Sequence, residues 1–424
     1  MRHKPWISHI VVLLAFMLTG CSHSPVETPA ATTDLLPSET AAATTPAATP
    51  EPVQELVLWV SPDLAPDPDT PAGAIFSARM DAFLEAHPDV SLSIRIKAAE
   101  GESGLLETLL SAYLAAPGTL PDLITLDHEA LTAAATEGIL LPLDEWNGAI
   151  QSEDWYDFAV DGARANGVYY GLPFSAEADV FAYRTARFTN PPLSWAQLLE
   201  ENKQFCWPVA DPLSMLTFDI YRHLGGEITD VDSQAILEAN PLAEVLTFYA
   251  TAQTTQLLPT SVLSAASTED CWNALSIDEV SAGVVPLEHV LLQMGTSLAA
   301  APIPTSRDRG LSPTNTWSLA ITTQRPERQD LAAELALWLS DPAFIGEWTQ
   351  ALGYLPASAA ALDTWEENRQ LAMVSGLVTL ANVQPGQALL APYSAAIRTA
   401  IEDVLINGLT PSAAAGAAAA ALQE

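Results

Sequence analysis

The chain has 424 residues, of which 49% are hydrophobic, so it is long enough for two domains and can bury a sizeable core. Its formal net charge is −36, from 52 acidic and 16 basic residues, which argues against binding to nucleic acid or to an anionic membrane surface. Only 16% of the residues are charged and the acidic excess is spread along the chain, so this charge indicates an acidic surface and says little about a ligand.

The N-terminal segment has the pattern of a secretory signal peptide. Arg2 and Lys4 give it a basic start, and the apolar run over residues 7–18 is too short to span a bilayer, which takes roughly 20 residues. The run ends in "LTGC" at Cys21, which resembles a bacterial lipobox. That resemblance implies a signal peptide over residues 1–20, cleavage before Cys21 and lipidation of the cysteine.

Residues 21–53 are rich in Ala, Thr, Pro and Ser and contain few large apolar side chains. Such a segment buries too little apolar surface to offset the entropy lost on ordering. We therefore expect a flexible, lipid-anchored tether that holds the folded part outside the cytoplasmic membrane.

The two remaining cysteines, Cys206 and Cys271, are expected to form a disulfide, because thiols in an oxidising compartment are usually paired. Each precedes a tryptophan, which predicts apolar surroundings. Neither belongs to a CxxC pair and no histidine cluster accompanies them, so the sequence predicts no metal site.

The folded part begins with alternating strands and helices. Strands are predicted for "QELVLWV" (54–60), "VSLSIRIKA" (90–98) and "LITL" (123–126), and helices for residues 72–86 and 105–115. In the second strand, Val90, Leu92, Ile94 and Ile96 alternate with polar residues and are expected to face the core. This order predicts a parallel α/β sheet.

In such sheets ligands lie beyond the carboxyl ends of the strands. Those ends are Trp59 to Ser61 for the first strand, and Asp127 with His128 for the third. Further along, "VSAGVVP", "LAAAPIP" and "TNTWSLAITT" are typical of strands, and residues 195–201, 241–252 and 331–339 of helices.

The segment "GVYYGLPFSAEADVFAYR" (167–184) has two strand-like ends around a middle that carries Glu177 and Asp179. A buried strand should not hold an unpaired carboxylate, because removing that charge from water is costly. The middle of this segment is therefore expected to face something other than a hydrophobic core.

Three stretches, "PDLITLD…LTAAATEGILLPLDEW", "GVYYGLPFSAEADVFAYR" and "SWAQLLE", resemble the extracellular solute-binding proteins of ATP-driven (ABC) importers, in particular the sugar-binding family that includes maltodextrin-binding proteins. "APYSAAIRTAIEDVLINGLTPSAAAGAAAAAL" is similar to the last helices of that family. The resemblance covers most of residues 54–424 and rests on the order of the segments, since no single motif is diagnostic.

The resemblance implies a two-lobed periplasmic-binding-protein fold of the α/β class. Each lobe is a mostly parallel sheet flanked by helices, and crossing strands join the lobes around a ligand cleft. We expect lobe I to hold residues 54–176 and 316–350, and lobe II to hold residues 177–315 and 351–424.

Glu177 matches the glutamate on the first crossing strand of the family, which hydrogen-bonds sugar hydroxyls. We expect its carboxylate to lie in water when the cleft is open; the alternative is a surface glutamate on a turn. Asp127 and His128 stand where the family places a charged hydrogen-bonding pair, and the alternative for Asp127 is a helix cap.

An aromatic set is expected around the ligand, because sugar sites use flat apolar faces together with polar groups. Each member is also compatible with core packing, and Trp317 stands where many family members have a small residue, so it either narrows the cleft or adds a stacking surface. The candidates are Trp59, Phe174, Trp317, Tyr354 and Tyr393.

The implied function is capture of a sugar or oligosaccharide and its delivery to the permease of an ABC importer, by a monomer without cofactors. Two alternatives are a cationic ligand such as a polyamine, favoured by acidic residues in the cleft, and a sensor ectodomain. An enzyme is not expected. Asp127 and Glu177 are the candidate carboxylate pair for a glycosidase, which needs a separation of roughly 5–9.5 Å, but the sequence has no nucleophile elbow, HExxH or P-loop.

Overall fold

The computed structural model describes residues 54–423 except 66, 100, 102, 144–153, 294–296, 308 and 323. The predicted signal peptide (1–20), Cys21 and the tether (21–53) lie outside the described residues. None of the helices in the described ranges combines the length and apolar character that crossing a bilayer requires.

The strands are, in chain order, β1 (Gln54–Val60), β2 (Val90–Ile96), β3 (Leu123–Asp127), β4 (Arg164–Ala165), β5 (Val168–Tyr169), β6 (Gly171–Arg184), β7 (Phe205–Cys206), β8 (Ala282–Pro286), β9 (Leu298–Ala301), β10 (Ser312–Ile321), β11 (Leu355–Pro356) and β12 (Ala381–Val383).

The α-helices are α1 (Pro71–Ala86), α2 (Leu105–Ala115), α3 (His128–Thr136), α4 (Asp157–Gly162), α5 (Trp195–Glu200), α6 (Met215–His223), α7 (Ala239–Thr254), α8 (Thr268–Ser276), α9 (Leu287–Leu292), α10 (Pro326–Leu339), α11 (Pro342–Leu352), α12 (Ala359–Leu362), α13 (Arg369–Val378), α14 (Gln387–Leu405) and α15 (Pro411–Ala421).

Local sequence signals set the starts of several helices. Thr70 caps α1 and is followed by a proline at the first helical position, where the missing N–H costs nothing. Asp127 caps α3 and Ser267 caps α8 by accepting hydrogen bonds from backbone N–H groups of the first turn. These caps hold the first turns of α3 and α8, with their acidic side chains, at fixed positions next to the sheet.

In the described part of the chain, ten strands form one sheet with the order β2-β1-β3-β10-β6-β8-β7, to which β9, β11 and β12 attach at β6 or β10. β1 runs parallel to β2 and β3, as the sequence predicted, and β7 runs parallel to β8. β6 and β10 run antiparallel to each other, β10 is antiparallel to β3, and β6 is antiparallel to β8. β6 and β10 therefore connect two parallel parts of the sheet.

The described residues pack into two hydrophobic cores. The first surrounds β1, β3, α1 and α10, and the second surrounds β8, α6, α7 and α14. Within β6, Phe174 belongs to the first core and Val180 to the second. β10 also passes between the two cores. The chain crosses again between Tyr354, which belongs to the first core, and Leu355, which belongs to the second. The residues at which one lobe gives way to the other stay a prediction.

The inward face predicted for β2 is only partly correct. Val90 is buried, but Ile94 and Ile96 are 37% and 58% exposed. β2 is the edge strand of the sheet, so its apolar side chains have a neighbouring strand on one side only.

Cys206 in β7 and Cys271 in α8 are joined by a disulfide, with their Cα atoms 5.2 Å apart. Both residues are fully buried, and the following Trp207 and Trp272 are buried beside them. The bond ties α8 to the β7 end of the sheet, within the second core.

Candidate functional site

A cavity of about 450 Å³ opens where β6 and β10 pass between the two cores. Its walls come from both sides of the crossing. The turn after β1 and the start of α3 contribute from the first core, and the starts of α8 and α9 from the second. Residues of β6 and β10, Met215, and residues 353–354 and 384–387 also line it. The carboxyl ends of β3 and β8 both meet this cavity, as expected for ligand sites of α/β sheets.

The cavity wall is strongly acidic. Seven of its described residues are carboxylates and none is Lys or Arg: Asp63, Asp127, Glu129, Glu177, Asp179, Glu269 and Glu288. Described arginines of both cores pair elsewhere, for example Arg328 with Asp122 at 3.0 Å and Arg184 with Asp278 at 2.7 Å. The charge of the wall is therefore not neutralised by basic side chains of the lining.

Glu177 lies on β6 opposite Asn315 of β10, in the middle of the wall. The indole N–H of Trp317 donates to its Oε1 at 3.0 Å, and the hydroxyl of Tyr354 also hydrogen-bonds the carboxylate. Burial, together with the nearby charges of Asp63 and Glu288, raises the pKa of Glu177 to about 7 against the effect of these two hydrogen bonds. In this structure the carboxylate of Glu177 is thus largely withdrawn from water, and its pKa lies near neutral pH. The expectation that it lies in water when the cleft is open stays a prediction.

Asp179, two residues further along β6, points into the same cavity. Its carboxylate accepts a hydrogen bond from the amide of Gln384 at 3.3 Å and another from the hydroxyl of Thr268. Burial is the main reason that the pKa of Asp179 is raised to about 6. Two neighbouring carboxyls of one strand therefore have raised pKa values on the same wall.

The start of α3 supplies three lining residues. Asp127 caps the helix by accepting from the N–H of Ala130 at 2.7 Å, which is the alternative that the sequence left open. His128 places its Nδ1 3.2 Å from the carbonyl oxygen of Gly162. Glu129 accepts from the N–H of Gln387 at 2.9 Å and so caps α14, a helix of the second core. Glu129 therefore bridges the two sides of the cavity.

The opposite wall carries Glu269 and Glu288 at the starts of α8 and α9. Glu269 contacts Nε2 of His289 at 2.7 Å, and that imidazole stacks on Trp272 with ring centroids 4.7 Å apart. Burial raises the pKa of Glu288, with further contributions from Glu269 and Asp63. Among the described residues, Glu269, Glu288 and His289 also offer potential metal-ligand atoms within 4.8 Å of one another.

A sequence profile of bacterial extracellular solute-binding proteins matches residues 78–373. The chain belongs to this family. Like the other members of the family and its structural neighbours, it is a solute-binding protein and not an enzyme.

Two curated relatives and one solved structure illustrate the family. A maltotriose-binding protein from Pyrococcus abyssi is 26% identical over 134 residues, which is 32% of this chain and 28% of the relative. A mannitol-binding protein from Pseudomonas aeruginosa is 29% identical over 124 residues, which is 28% of each chain. Both alignments thus span little more than a quarter of the relative.

The solved structure is that of the sugar-binding protein MalE from Xanthomonas citri. It matches with a TM-score of 0.71 at 16% identity, over 87% of this chain and 96% of that one. This likeness confirms the predicted two-lobed α/β fold.

Four of the predicted ligand-binding residues line the cavity: Asp127, His128, Glu177 and Tyr354. Tyr354 is the one aromatic residue among the described lining residues, and its hydroxyl is engaged by Glu177. The structure therefore brings together the polar candidates and a single member of the aromatic set.

The other predicted residues are buried and are not themselves among the described lining residues. Trp59 is buried in the first core, with the ammonium of Lys97 4.5 Å from its ring centroid. Ser61 is buried and donates its hydroxyl to Asp63 at 2.8 Å. These strand-end residues turn inward because β1 is covered on both faces.

Phe174 and Tyr393 are core residues as well. The ring of Phe174 packs on Trp348 with centroids 4.7 Å apart. Tyr393 is buried in α14 and donates its hydroxyl to the carbonyl oxygen of Ile228. Trp317 is buried too and reaches the cavity only through its hydrogen bond to Glu177, so it neither narrows the cavity nor offers a stacking face.

The predicted ligand-binding residues omit five acidic lining residues: Asp63, Glu129, Asp179, Glu269 and Glu288. A signal for Glu288 was present, because it lies two residues beyond the end of β8, much as Asp127 and His128 lie at the end of β3. Carboxyl-end residues were predicted for the first and third strands and not for "VSAGVVP". Glu269 had no such signal, since its position depends on how α8 packs.

A second cavity, of about 720 Å³, is lined by Asp219, Arg222 and Arg309 among others. Oδ2 of Asp219 has no hydrogen-bond partner among the described residues. Burial raises the pKa of Asp219 to about 8, although the charge of Arg222 acts in the opposite direction. This carboxyl is therefore a further group whose protonation depends on folding.

Proposed function

We propose that this protein captures a small sugar or related polar solute in the cavity around Glu177 and delivers it to the permease of an ABC importer. The position of the cavity supports this proposal most strongly. It lies at the crossing of β6 and β10, and both cores contribute to its walls. A solute that contacts both walls favours the closed arrangement of the lobes, because those contacts exist only when the lobes are together.

A polyhydroxylated ligand is supported by the relatives, which bind maltotriose and mannitol. The lining offers carboxylates and the amides of Asn315 and Gln384, which accept from and donate to hydroxyl groups. With Tyr354 as the one aromatic residue of the described lining, stacking of several sugar rings is not supported. We therefore propose a small sugar or related polar solute as the ligand, in place of the broader expectation of a sugar or oligosaccharide.

Thermal unfolding with a ligand panel tests this proposal, because a solute that binds only the folded state raises the melting temperature. The panel holds mannitol, maltose, maltotriose and their amino and acidic derivatives. At least one compound is expected to stabilise the wild type and to stabilise Glu177→Gln much less. Glu200→Gln is the matched control. Glu200 is exposed on α5, so this substitution removes the same charge at a position away from the cavity. Equal stabilisation of Glu177→Gln and wild type contradicts the proposed site.

We also propose that the mature protein is a monomer attached to the outer side of the cytoplasmic membrane through lipidated Cys21, with residues 21–53 as tether and the lobe boundaries given above. Cys21→Ser is expected to lose incorporation of labelled fatty acid and to keep solute binding, because the described lining residues all lie between Asp63 and Gln387, far from Cys21 in the chain. Labelled fatty acid in the variant contradicts the lipobox interpretation.

A further inference from the structure

We infer that the solute of this cavity is an organic cation, whose ammonium group lies among the carboxylates of Asp63, Glu177 and Glu288. The inference rests on the proposed function, which makes the cavity the solute site, and it adds the charge of the ligand. Its basis is the balance of charge on the cavity wall, the position of these three carboxylates and the poverty of the wall in aromatic rings.

The first step is to separate carboxylates that already have a local role. Asp127 caps α3, and Glu129 caps α14, where the partial positive charge of a helix start favours an anion. Glu269 pairs with His289 at 2.7 Å. These three side chains have partners that explain them without a ligand.

Of the four that remain, Asp179 is held by the amide of Gln384 and the hydroxyl of Thr268. Asp63, Glu177 and Glu288 have no basic partner in the described lining. Asp63 accepts from the hydroxyl of Ser61, and Glu177 accepts from an indole and a phenol, all of them neutral donors. Glu288 lies in the first turn of the short helix α9. Among the described lining residues no Lys or Arg approaches the three carboxylates. They come from a loop, a strand and a helix, so their convergence is a product of the tertiary fold.

These carboxylates are close enough to oppose one another's ionisation. The charges of Asp63 and Glu288 both contribute to the raised pKa of Glu177, and the charge of Asp63 contributes to that of Glu288. A neutral sugar leaves this repulsion in place. An alkylammonium group has three N–H donors and a full positive charge, so it can bond the three carboxylates and offset part of their mutual repulsion.

The same arrangement links selection of a cationic ligand to closure of the two lobes. Asp63 belongs to the first side of the cavity and Glu288 to the second. Without a cation, like charges on facing walls oppose approach of the lobes. With a cation between them, the same charges favour it.

A metal ion is the main competitor, because Glu269, Glu288 and His289 offer ligand atoms close together. His289 is already engaged by Glu269 and stacked on Trp272, however, and Asp63, Glu177 and Tyr354 have no place in such a site. The lining as a whole fits an extended cation better than a single ion.

Matched amines and amides test the inference by titration calorimetry with the full-length protein. Glucosamine is compared with N-acetylglucosamine, and its β-1,4-linked dimer with the diacetylated dimer, so that only the charge and the acetyl group differ. Spermidine serves as a cation without hydroxyls. At least one amine is expected to bind about 10-fold or more tightly than its uncharged partner, and its affinity should fall as salt is added.

Substitution of single carboxylates tests which side chain causes the preference for amines. Glu288→Gln is expected to weaken amine binding about 10- to 100-fold, because a charge-assisted hydrogen bond is lost, while Glu200→Gln leaves it unchanged. Loss of the preference for the amine in Glu288→Gln, with the fold intact by circular dichroism, supports the inference.

The outcomes separate the inference from the proposed function. If neutral sugars bind as tightly as the amines, the ligand is not selected by charge, and the proposed function stands without the inference. If neither sugars nor amines bind, both are contradicted. If Ca²⁺ or Zn²⁺ alone stabilises the protein and amines do not, the cavity is a metal site and the inference is overturned.

Discussion

The indole N–H of Trp317 on β10 donates a hydrogen bond of 3.0 Å to the carboxylate of Glu177 on the neighbouring strand β6. Trp317 is 3% exposed and belongs to the first core, whereas Glu177 faces the cavity. The tryptophan therefore fixes the position of a carboxylate that it does not shield from the solute. It also favours the charged form, because an N–H donor to a carboxylate lowers the pKa of that group.

Trp317→Phe is expected to raise the pKa of Glu177 further, since the donor is lost and the aromatic packing is largely kept. Binding of an amine should then begin at a higher pH than in the wild type. The measurement is the midpoint of the affinity-versus-pH curve, obtained by calorimetry between about pH 5.5 and 8.5.

Trp59→Phe is the matched control for this substitution. Trp59 lies in the same core, and its indole nitrogen has no hydrogen-bond partner among the described residues. Both variants are expected to lose stability of about 0.5–3 kcal/mol, but only Trp317→Phe should move the midpoint. If the midpoint of the affinity-versus-pH curve shifts equally in both variants, or in neither, the hydrogen bond from Trp317 to Glu177 does not influence binding.

The stability of the unliganded protein is expected to fall as the pH rises from about 5 to 8. Burial raises the pKa of Glu177 to about 7, of Asp179 to about 6 and of Asp219 to about 8, so the folded state keeps protons that the unfolded chain has lost. The stabilisation is complete below the unfolded pKa values and is lost through the folded ones. Each group contributes at most about 1.4 kcal/mol per pH unit. The free energy of unfolding is measured by urea denaturation at several pH values.

Glu177→Gln should make this dependence shallower, because it removes one of the titrating groups. Relative to the wild type, the variant is expected to gain stability at pH 8 and little at pH 5. Glu200→Gln should follow the wild-type curve. A wild-type stability that rises between pH 5 and 8 contradicts the burial of these carboxyls.

Removal of the disulfide is expected to destabilise the second core and to spare the cavity. Cys206 and Cys271 are 65 residues apart in the chain, and closing a loop of that size stabilises by about 4 kcal/mol on the chain-entropy model. The double variant Cys206→Ala/Cys271→Ala should therefore show a lower urea midpoint than the oxidised wild type. Neither cysteine lines the cavity, so solute affinity under folding conditions should be retained. Equal midpoints contradict the bond.

Much of the fold was predictable because its signals are local. The apolar runs of β1 and β3, the alternating pattern of β2 and the helices between them predicted a parallel α/β unit that the structure contains. Glu177 was singled out by the conflict between a strand pattern and a carboxylate within it, and the resemblance to the family implied its place in the ligand cleft.

The rest of the site depends on tertiary packing that the sequence does not display. Trp59, Phe174 and Tyr393 have the side chains of a sugar site, but the packing of β1, α11 and α14 turns them into the cores. Glu269 and Asp63 look like ordinary surface residues in the sequence and meet only because α8 and the β1 turn face one cavity. Long-range convergence of like charges has no local pattern.

Small-angle X-ray scattering tests the central claim most directly, namely that a solute closes the two sides of the protein around Glu177. The radius of gyration is measured with and without the compound that gives the largest thermal stabilisation. It is expected to decrease on binding in the wild type and in Glu200→Gln, and to stay unchanged in Glu177→Gln at the same concentration. An unchanged radius in the wild type at saturating ligand, or an equal decrease in Glu177→Gln, contradicts the account.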